Sequence, residues 1–186
     1  MEERNPLTIF IGALTLLLLV FFAWMLSSGK IGLLASQLEA SARKTQQVDS
    51  SWQTLKSEVG PLTAFLFYNE DRDDYTYAVD QNLPGFSFGH FLASEGSTAP
   101  AIEDSVFAVP SPVGDDAYTV LLSMNTPKVT QVEVSSGDDT MSLAVNPEKP
   151  FALVLPTPPG NTLSLYNGEG QTVTPQEIAL SDSNAA

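Results

Sequence analysis

The segment 82–93, NLPGFSFGHFLA, holds the residues whose types and spacing are closest to a known catalytic pattern. Gly85–Gly89 matches G-x-S-x-G, the motif in which many hydrolases carry a nucleophilic serine on a strand-to-helix turn. His90 follows at once and is the single histidine of the chain. A hydrolase of this type would therefore require Ser87 to pass its proton to His90.

The residues after Ser87 do not support that chemistry. Residues 88–92 continue a strand pattern, and side chains alternate between the two faces of a strand, so Ser87 and His90 point to opposite sides. We therefore predict a structural strand with a structural histidine, and a bulge or close backbone approach at Gly89. The residues predicted to share one strand face are Phe86, Phe88, His90 and Leu92.

Metal and cofactor chemistry has little support in the sequence. The chain has no cysteine, which excludes thiol catalysis, disulfides and cysteine-ligated metal sites. The acidic run 69–74 supplies Asp71, Asp73 and Asp74 as weak calcium candidates, but it lacks the order of an EF-hand loop. A solvated hairpin tip is the favoured interpretation, and we predict no cofactor.

Carboxylates elsewhere leave a minor alternative. The pairs Asp115–Asp116 and Asp138–Asp139 follow glycines at predicted turns. A hydrolase with a carboxylate-only site needs two acids facing each other across a cleft, which no spacing in a sequence identifies. We expect a non-enzymatic protein.

Eight aromatic residues lie within residues 65–91, and most of them must form core. Adjacent aromatic residues place rings on both faces of their strands, so one face is a candidate partner surface. The predicted binding residues are Tyr68, Tyr75, Tyr77 and Phe91.

The N-terminal region predicts a membrane segment. After a polar head at residues 1–6, residues 7–26 form an uncharged apolar run that would span about 30 Å as a helix. A cleaved signal peptide is the alternative, but no small-x-small site follows closely. We predict an uncleaved transmembrane helix.

Residues 27–60 predict a helical stalk. Their apolar residues recur at alternating spacings of three and four, as in a coiled-coil seam, and Gly60-Pro61 would end the helix. One interpretation is a homodimer through residues 31–59, and the other is a single helix packed on the following domain.

From residue 62 the pattern changes to short strands separated by Gly/Pro turns. This predicts a mainly β fold, an antiparallel immunoglobulin-like β-sandwich over residues 61–180 with a disordered tail at 181–186. The predicted strands are 62–68, 75–79, 86–92, 105–109, 117–124, 129–134, 140–145, 151–155, 162–166 and 171–174.

Three runs also resemble a known group of proteins: YTYAVDQNLPGFSFGHFLASEGS, LLSMNTPKVTQVEVSSGD and FALVLPTPPGNTLSLYNGEGQTV. They resemble uncharacterised small membrane-anchored proteins of Gram-positive bacteria of the Bacillus/Paenibacillus kind. The resemblance covers about residues 62–174 and implies an extracytoplasmic β domain without a known activity.

The distribution of charge along the chain limits the classes of partner that it can bind. Residues 61–186 hold 17 acidic and 3 basic residues, so the whole net charge of −14 lies beyond the apolar segment. Such a domain repels nucleic acid and anionic lipid. We expect no nucleic-acid binding and a protein partner.

The sequence leads to hypotheses for the location and the function of the chain. Basic residues flanking the apolar run lean slightly towards a cytoplasmic C-terminal part, whereas an acidic β-sandwich and the resemblance favour the outside. The first hypothesis is a single-pass cell-membrane protein whose extracytoplasmic domain binds or scaffolds a partner in the cell envelope. The alternative is a membrane sensor that signals through its stalk.

Overall fold

The chain folds into one long apolar helix followed by a stack of β-sheets. The computed structural model describes residues 6–83, 85, 87–97 and 105–177. The helices are α1 (Pro6–Ser27), a 3-10 turn (Ala35–Gln37) and α2 (Leu38–Thr45). The strands within the described residues are β1 (Gln53–Val59), β2 (Leu62–Tyr68), β3 (Tyr75–Gln81), β4 (Phe91–Ser97), β5 (Phe107–Val113), β6 (Asp116–Ser123), β7 (Val129–Ser136), β8 (Asp139–Ala144), β9 (Phe151–Pro156), β10 (Thr162–Asn167), β11 (Thr172–Val173) and β12 (Gln176–Glu177).

Helix α1 confirms the predicted apolar helix. Its window Phe10–Ser27 has a mean hydropathy of 2.4, and only 6% of that window is buried against the rest of the chain. At 1.5 Å per residue its 22 residues span about 33 Å, close to the hydrocarbon thickness of a bilayer. The helix is therefore long and apolar enough to cross a membrane.

The strands form three four-stranded sheets. Sheet 1 has the order β1-β2-β3-β4, sheet 2 the order β12-β5-β6-β9, and sheet 3 the order β11-β10-β7-β8. The pairings are antiparallel except that of the short strand β12 with β5. We refer to residues 31–177 as the β domain.

The sheets are stacked with α2 on the outside of sheet 1. Leu38 and Ala42 of α2 pack on Phe65 and Phe67 of sheet 1, which forms the first core. The opposite face of sheet 1 packs on sheet 2, and sheet 2 packs with its other face on sheet 3. Strand β2, LTAFLFY, is buried at all seven positions because it is covered on both faces.

Sheet 3 has one covered face. Val132 and Val134 of β7 are buried, whereas Gln131 and Glu133 between them are only half-buried. The predicted strand 129–134 lies within β7, with one face of the strand against the core and the other in water.

The prediction of a helical stalk over residues 27–60 is wrong. Only α2 and the short 3-10 turn are helical after Ser27, and the last part of the segment is strand β1, paired with β2 along its full length. Gly60-Pro61 forms the hairpin turn between β1 and β2 instead of a helix stop, with Gly60 at φ +57°. A positive φ followed by the fixed negative φ of proline is the geometry of a type II′ turn.

The apolar stripe of the predicted stalk is used inside the β domain. Leu38 is 1% exposed, and Val48 and Trp52 pack against the same core. The stripe therefore does not form one helical seam, which removes the helical basis for a homodimer through residues 31–59 and for signalling along a stalk.

Most predicted strands lie within a few residues of the observed ones, but the segment 86–92 does not. Strand β4 begins at Phe91, and residues 87–90 form a loop with isolated bridges at Phe88 and His90. Residues 1–5 of the predicted head, residue 86 and the predicted tail at 181–186 lie outside the described residues.

Candidate functional site at the junction of helix and β domain

The junction is a backbone crossing between residues 30–33, just after α1, and residues 87–90. Phe88 donates its N–H to the carbonyl of Lys30 at 2.8 Å, and Gly32 donates to the carbonyl of Phe88 at 2.7 Å. Leu33 and His90 exchange two further bonds, each of 2.9 Å. Four hydrogen bonds therefore fix the loop to the chain three residues beyond the end of α1.

Two glycines make this crossing possible. A β-carbon on Gly32 would lie 2.4 Å from the carbonyl oxygen of His90, and one on Gly89 would lie 2.7 Å from that of Leu33. Gly89 also has φ +93°, which L-residues with a side chain rarely adopt. The prediction of a close backbone approach at Gly89 is confirmed.

The positive φ at Gly89 also explains why the predicted shared face does not form. Phe88 is 61% exposed, whereas Leu92 packs into the core under α2. The turn at Gly89 reverses the alternation, so residues on its two sides no longer share a strand face. The prediction that Phe88, His90 and Leu92 share one strand face is therefore wrong.

Ser87 serves the loop itself. Its Oγ donates to the carbonyl of Leu83 at 2.7 Å, within the segment. A nucleophile elbow carries its serine on a strand-to-helix turn, whereas the next element after Ser87 in the described part of the chain is strand β4. The Nδ1 atom of His90 is buried without a hydrogen-bond partner in the part of the chain that the structure describes.

The surface beside the crossing is an apolar cleft. It has a volume of about 270 Å³. Its walls are Phe21, Phe22, Met25, Ile31 and Phe88. Met25 is only 2% exposed, whereas Phe22 is 59% exposed. The cleft therefore joins the exposed surface of α1 to the loop of the β domain.

Lys56 and Glu58 of β1 form an ion pair. Lys56 Nζ lies 2.7 Å from Glu58 Oε2. The hydrogen bond from Lys56, followed by the charges of Lys56 and then of His90, lowers the pKa of Glu58 below its usual value. Glu58 is therefore an anion at neutral pH, on the edge strand of sheet 1 opposite to β4.

Helix α2 is tied to the start of β1 by Arg43. Its Nη1 donates to the carbonyl of Asp49 at 2.8 Å and its Nη2 to that of Trp52 at 3.2 Å. The guanidinium also lies 5.3 Å from the centroid of the Phe67 ring and binds Glu39. A single side chain therefore holds the helix, the following turn and sheet 1 together.

Three predicted binding residues are in the core. Tyr68, Tyr75 and Tyr77 are 6%, 3% and 4% exposed, and all three belong to the core between sheets 1 and 2. Tyr77 Oη lies 3.2 Å from Ser94 Oγ. These tyrosines do not form the predicted binding surface, because sheet 2 covers that face of sheet 1. Phe91 is half-buried.

The acidic loops lie at two opposite ends of the stack. We call these two ends the Gly60 end and the Arg72 end, each after a residue in a turn that lies there. Arg72 in the turn 69–74 donates to the carbonyl of Glu148 at 3.1 Å, which brings the 146–149 loop to the same end. Strand β7 begins at the Arg72 end and is eight residues long. The turn that contains Asp138 follows β7 and therefore lies at the Gly60 end.

The calcium candidates are engaged with their own turn. Asn69 Oδ1 accepts from the backbone N–H groups of Asp73 at 3.1 Å and Asp74 at 3.2 Å, and the Asp73 carboxylate accepts from the Asn69 amide. Within the described residues, no group of three or more acidic or histidine side chains is arranged to hold a metal ion.

A second concave surface of about 600 Å³ lies beside β5, between sheets 2 and 3. Pro110 and Pro112 lie on β5 beyond its short pairing with β12. Proline has no N–H to offer, so this part of the edge cannot be extended by an added strand.

The loop residue Phe88 and its partner Ile31 were missed as site residues by the sequence prediction. Phe88 was placed on a strand and Ile31 on a stalk helix, so nothing linked them. The signal in the sequence is that Phe88 lies between the glycines at 85 and 89, which favours a loop.

No protein-family model matches the chain, and no curated protein and no solved structure matches it either. The resemblance to small membrane-anchored proteins of Gram-positive bacteria stays a prediction.

Proposed function

We propose that the chain is a single-pass membrane protein of the cell envelope whose β domain lies outside the cytoplasm and binds or scaffolds a protein partner without catalysis. The observation that carries the proposal is the direct junction between α1, whose apolar side chains are exposed at most of the described positions, and a folded β domain. A helix of this kind is stable in lipid and costly in water.

The strand order supports an immunoglobulin-like module. The strands β5, β6 and β9 correspond to A, B and E of such a sandwich, and the order β11-β10-β7-β8 corresponds to G-F-C-C′. The short parallel pairing of β12 with β5 adds a strand beside A. Sheet 1 and α2 are then an addition that lies between this module and α1.

The loops at the Arg72 end are the partner surface in this proposal. Immunoglobulin-like modules commonly bind through loops at one end of the sandwich. The loops 69–74, 125–128 and 146–149 lie together, as the bonds of Arg72 to Glu148 and of Asn125 to Asn146 indicate. They lie at the opposite end of the strands from the crossing of residues 30–33 with 87–90.

Orientation is tested with single cysteines, because the chain has none of its own. Met141→Cys, at a position 42% exposed on β8, is expected to react with a membrane-impermeant maleimide in intact cells. The matched variant Glu2→Cys is expected to react only after lysis. Labelling of Met141→Cys only after lysis overturns the orientation, and loss of the N-terminal segment from the mature protein shows a cleaved signal sequence.

Binding is tested by a photo-crosslinking residue at one of two exposed threonines. Thr126 lies at the Arg72 end and Thr140 at the Gly60 end. We expect a discrete protein adduct in intact cells from position 126 and none from position 140. Equal adducts from both positions, or none from either, contradict the proposed surface.

A further inference from the structure

We propose that the β domain contacts the bilayer through Phe88 and Ile31, and that the apolar cleft between them and α1 is filled by an acyl chain of the surrounding lipid. This inference rests on the proposed function, since it requires α1 to lie in the membrane. It adds a second membrane contact, made by a loop of the β domain, 61 residues beyond the end of α1 in the chain.

The depth of the loop follows from the residues that line the cleft with it. Phe21 and Phe22 lie six and five residues before Ser27, the last residue of α1. At 1.5 Å per residue they lie about 7–9 Å below the end of the helix. Phe88 lines the same cleft, and interfacial segments bury their apolar side chains at a comparable depth of about 5–10 Å.

The flanking residues place the membrane boundary at the same level. Trp24 is 52% exposed near the end of α1, and Lys30 follows three residues after Ser27. Tryptophan is enriched at the interface, and a lysine beyond a membrane helix extends its ammonium group to the headgroups. The crossing of residues 30–33 with 87–90 then lies at the headgroup level.

The chemistry of the cleft favours an acyl chain over other occupants. Its five lining side chains are all aliphatic, aromatic or thioether groups, and none carries a charge or a hydrogen-bond donor for the phosphate of a headgroup. Three of its five lining residues, Phe21, Phe22 and Met25, belong to α1, so its occupant must reach into the membrane. The cleft also continues the exposed apolar surface of α1, which lipid covers on every other side.

Phe88 is held in this position by backbone bonds instead of side-chain packing. Its N–H and carbonyl are both bound to the 30–32 segment, while 61% of the residue is exposed. A phenyl group held rigidly away from the core exposes apolar surface to water, which is unfavourable. Contact with lipid gives it an apolar environment. Only three residues separate α1 from Ile31, so the contact also fixes the tilt of the β domain on the membrane.

The test uses the full chain in phosphatidylcholine vesicles with one nitroxide spin label per variant. The labelled variants are Phe88→Cys and Ile31→Cys at the cleft, Phe10→Cys as the hydrocarbon reference and Met141→Cys as the aqueous reference. Collision with oxygen reports hydrocarbon, and collision with a water-soluble nickel chelate reports water. We expect the oxygen-to-nickel ratio at positions 88 and 31 to exceed that at position 141 several-fold and to approach that at position 10.

The outcomes separate this inference from the proposed function. A ratio at position 88 equal to that at position 141, with position 10 in hydrocarbon, overturns the lipid contact and leaves the membrane helix intact. A water-like ratio at position 10 shows that α1 is not in the bilayer, and both proposals fall. Phospholipids brominated high on the acyl chain are expected to quench Trp24 of α1 more strongly than Trp52, which packs in the core under α2, and the absence of this difference counts against the membrane helix and therefore against both proposals.

Discussion

Gly89 lies so close to Leu33 that a β-carbon on the glycine would be 2.7 Å from the leucine carbonyl oxygen. This contact joins the segment that leaves α1 to the loop that precedes β4. The two segments are 56 residues apart in the sequence, and the contact fixes how the β domain meets the helix.

The Gly89→Ala variant tests that contact. We expect a loss of about 2–4 kcal/mol in the free energy of unfolding, because the new β-carbon adds a steric clash to the strain of a positive φ. Urea unfolding in detergent micelles measures it. Gly85→Ala is the matched control, since Gly85 has φ +95° and nothing within 4 Å of its β-carbon position. It should cost only about 1 kcal/mol, and equal losses would contradict the close approach.

Arg43 is predicted to hold α2 on the sheets. Arg43→Lys keeps the charge but cannot reach the carbonyls of Asp49 and Trp52 together with the Phe67 ring, since it lacks the planar fork. We expect a loss of about 2 kcal/mol and faster amide exchange in α2 and the start of β1. Lys44 is the exposed neighbour of Arg43, and Lys44→Met should leave the free energy of unfolding and the amide exchange unchanged. Unaltered exchange in Arg43→Lys would show that the contacts do not stabilise the helix.

Ser87 is predicted to be chemically inert. Its hydroxyl donates to the Leu83 carbonyl, so no base activates it. A serine-directed fluorophosphonate should not label the full chain, as read by intact-mass spectrometry. Labelling that disappears in Ser87→Ala would establish a nucleophile and refute the structural interpretation of the motif.

Asp49 is predicted to make the fold sensitive to acid. The N–H and hydroxyl of Ser51 both donate to Asp49 Oδ1, at 2.8 and 2.5 Å, and these bonds lower the pKa of Asp49 below its usual 3.8. Since the folded-state pKa lies below the unfolded one, this stabilisation is complete above about pH 4 to 5 and is lost as the pH falls through the folded pKa.

Carbon NMR of the Asp49 carboxyl group measures this titration directly. We expect a midpoint below 3.8 in the native chain and a return towards 3.8 in Ser51→Ala, which lacks the hydroxyl donor. In Asp49→Asn the contribution of this position to stability should not change with pH, because an amide oxygen accepts the same hydrogen bonds without titrating. A midpoint at or above 3.8 in the native chain would exclude the proposed cause.

The sequence was most informative where a local pattern decides the structure. The uncharged run 7–26 specifies a helix because its composition leaves no other stable state in lipid. The strands in sheets 2 and 3 were predicted closely, since alternation and turn residues act over a few positions. The segment 27–60 was predicted wrongly because a spacing of three and four also occurs when a short helix and a strand each bury part of the stripe.

The aromatic residues show why the candidate site was placed on the wrong side chains. Tyr68 and Tyr77 are core residues because sheet 2 covers them, and nothing local to β2 or β3 reveals that cover. Phe88 is exposed because Gly89 turns the backbone and residues 30–33 occupy the space beside it. Both facts depend on segments far away in the chain.

By itself, then, the sequence determined an apolar helix, an acidic domain of short strands, and the absence of thiol chemistry, since composition and local period are sufficient for these. Only the tertiary structure decided which faces are covered, that the segment after α1 joins the sheets instead of extending from them, and that Phe88 meets the helix. The physical reason is that burial is a property of pairs of distant segments, and it becomes known only when their packing is known.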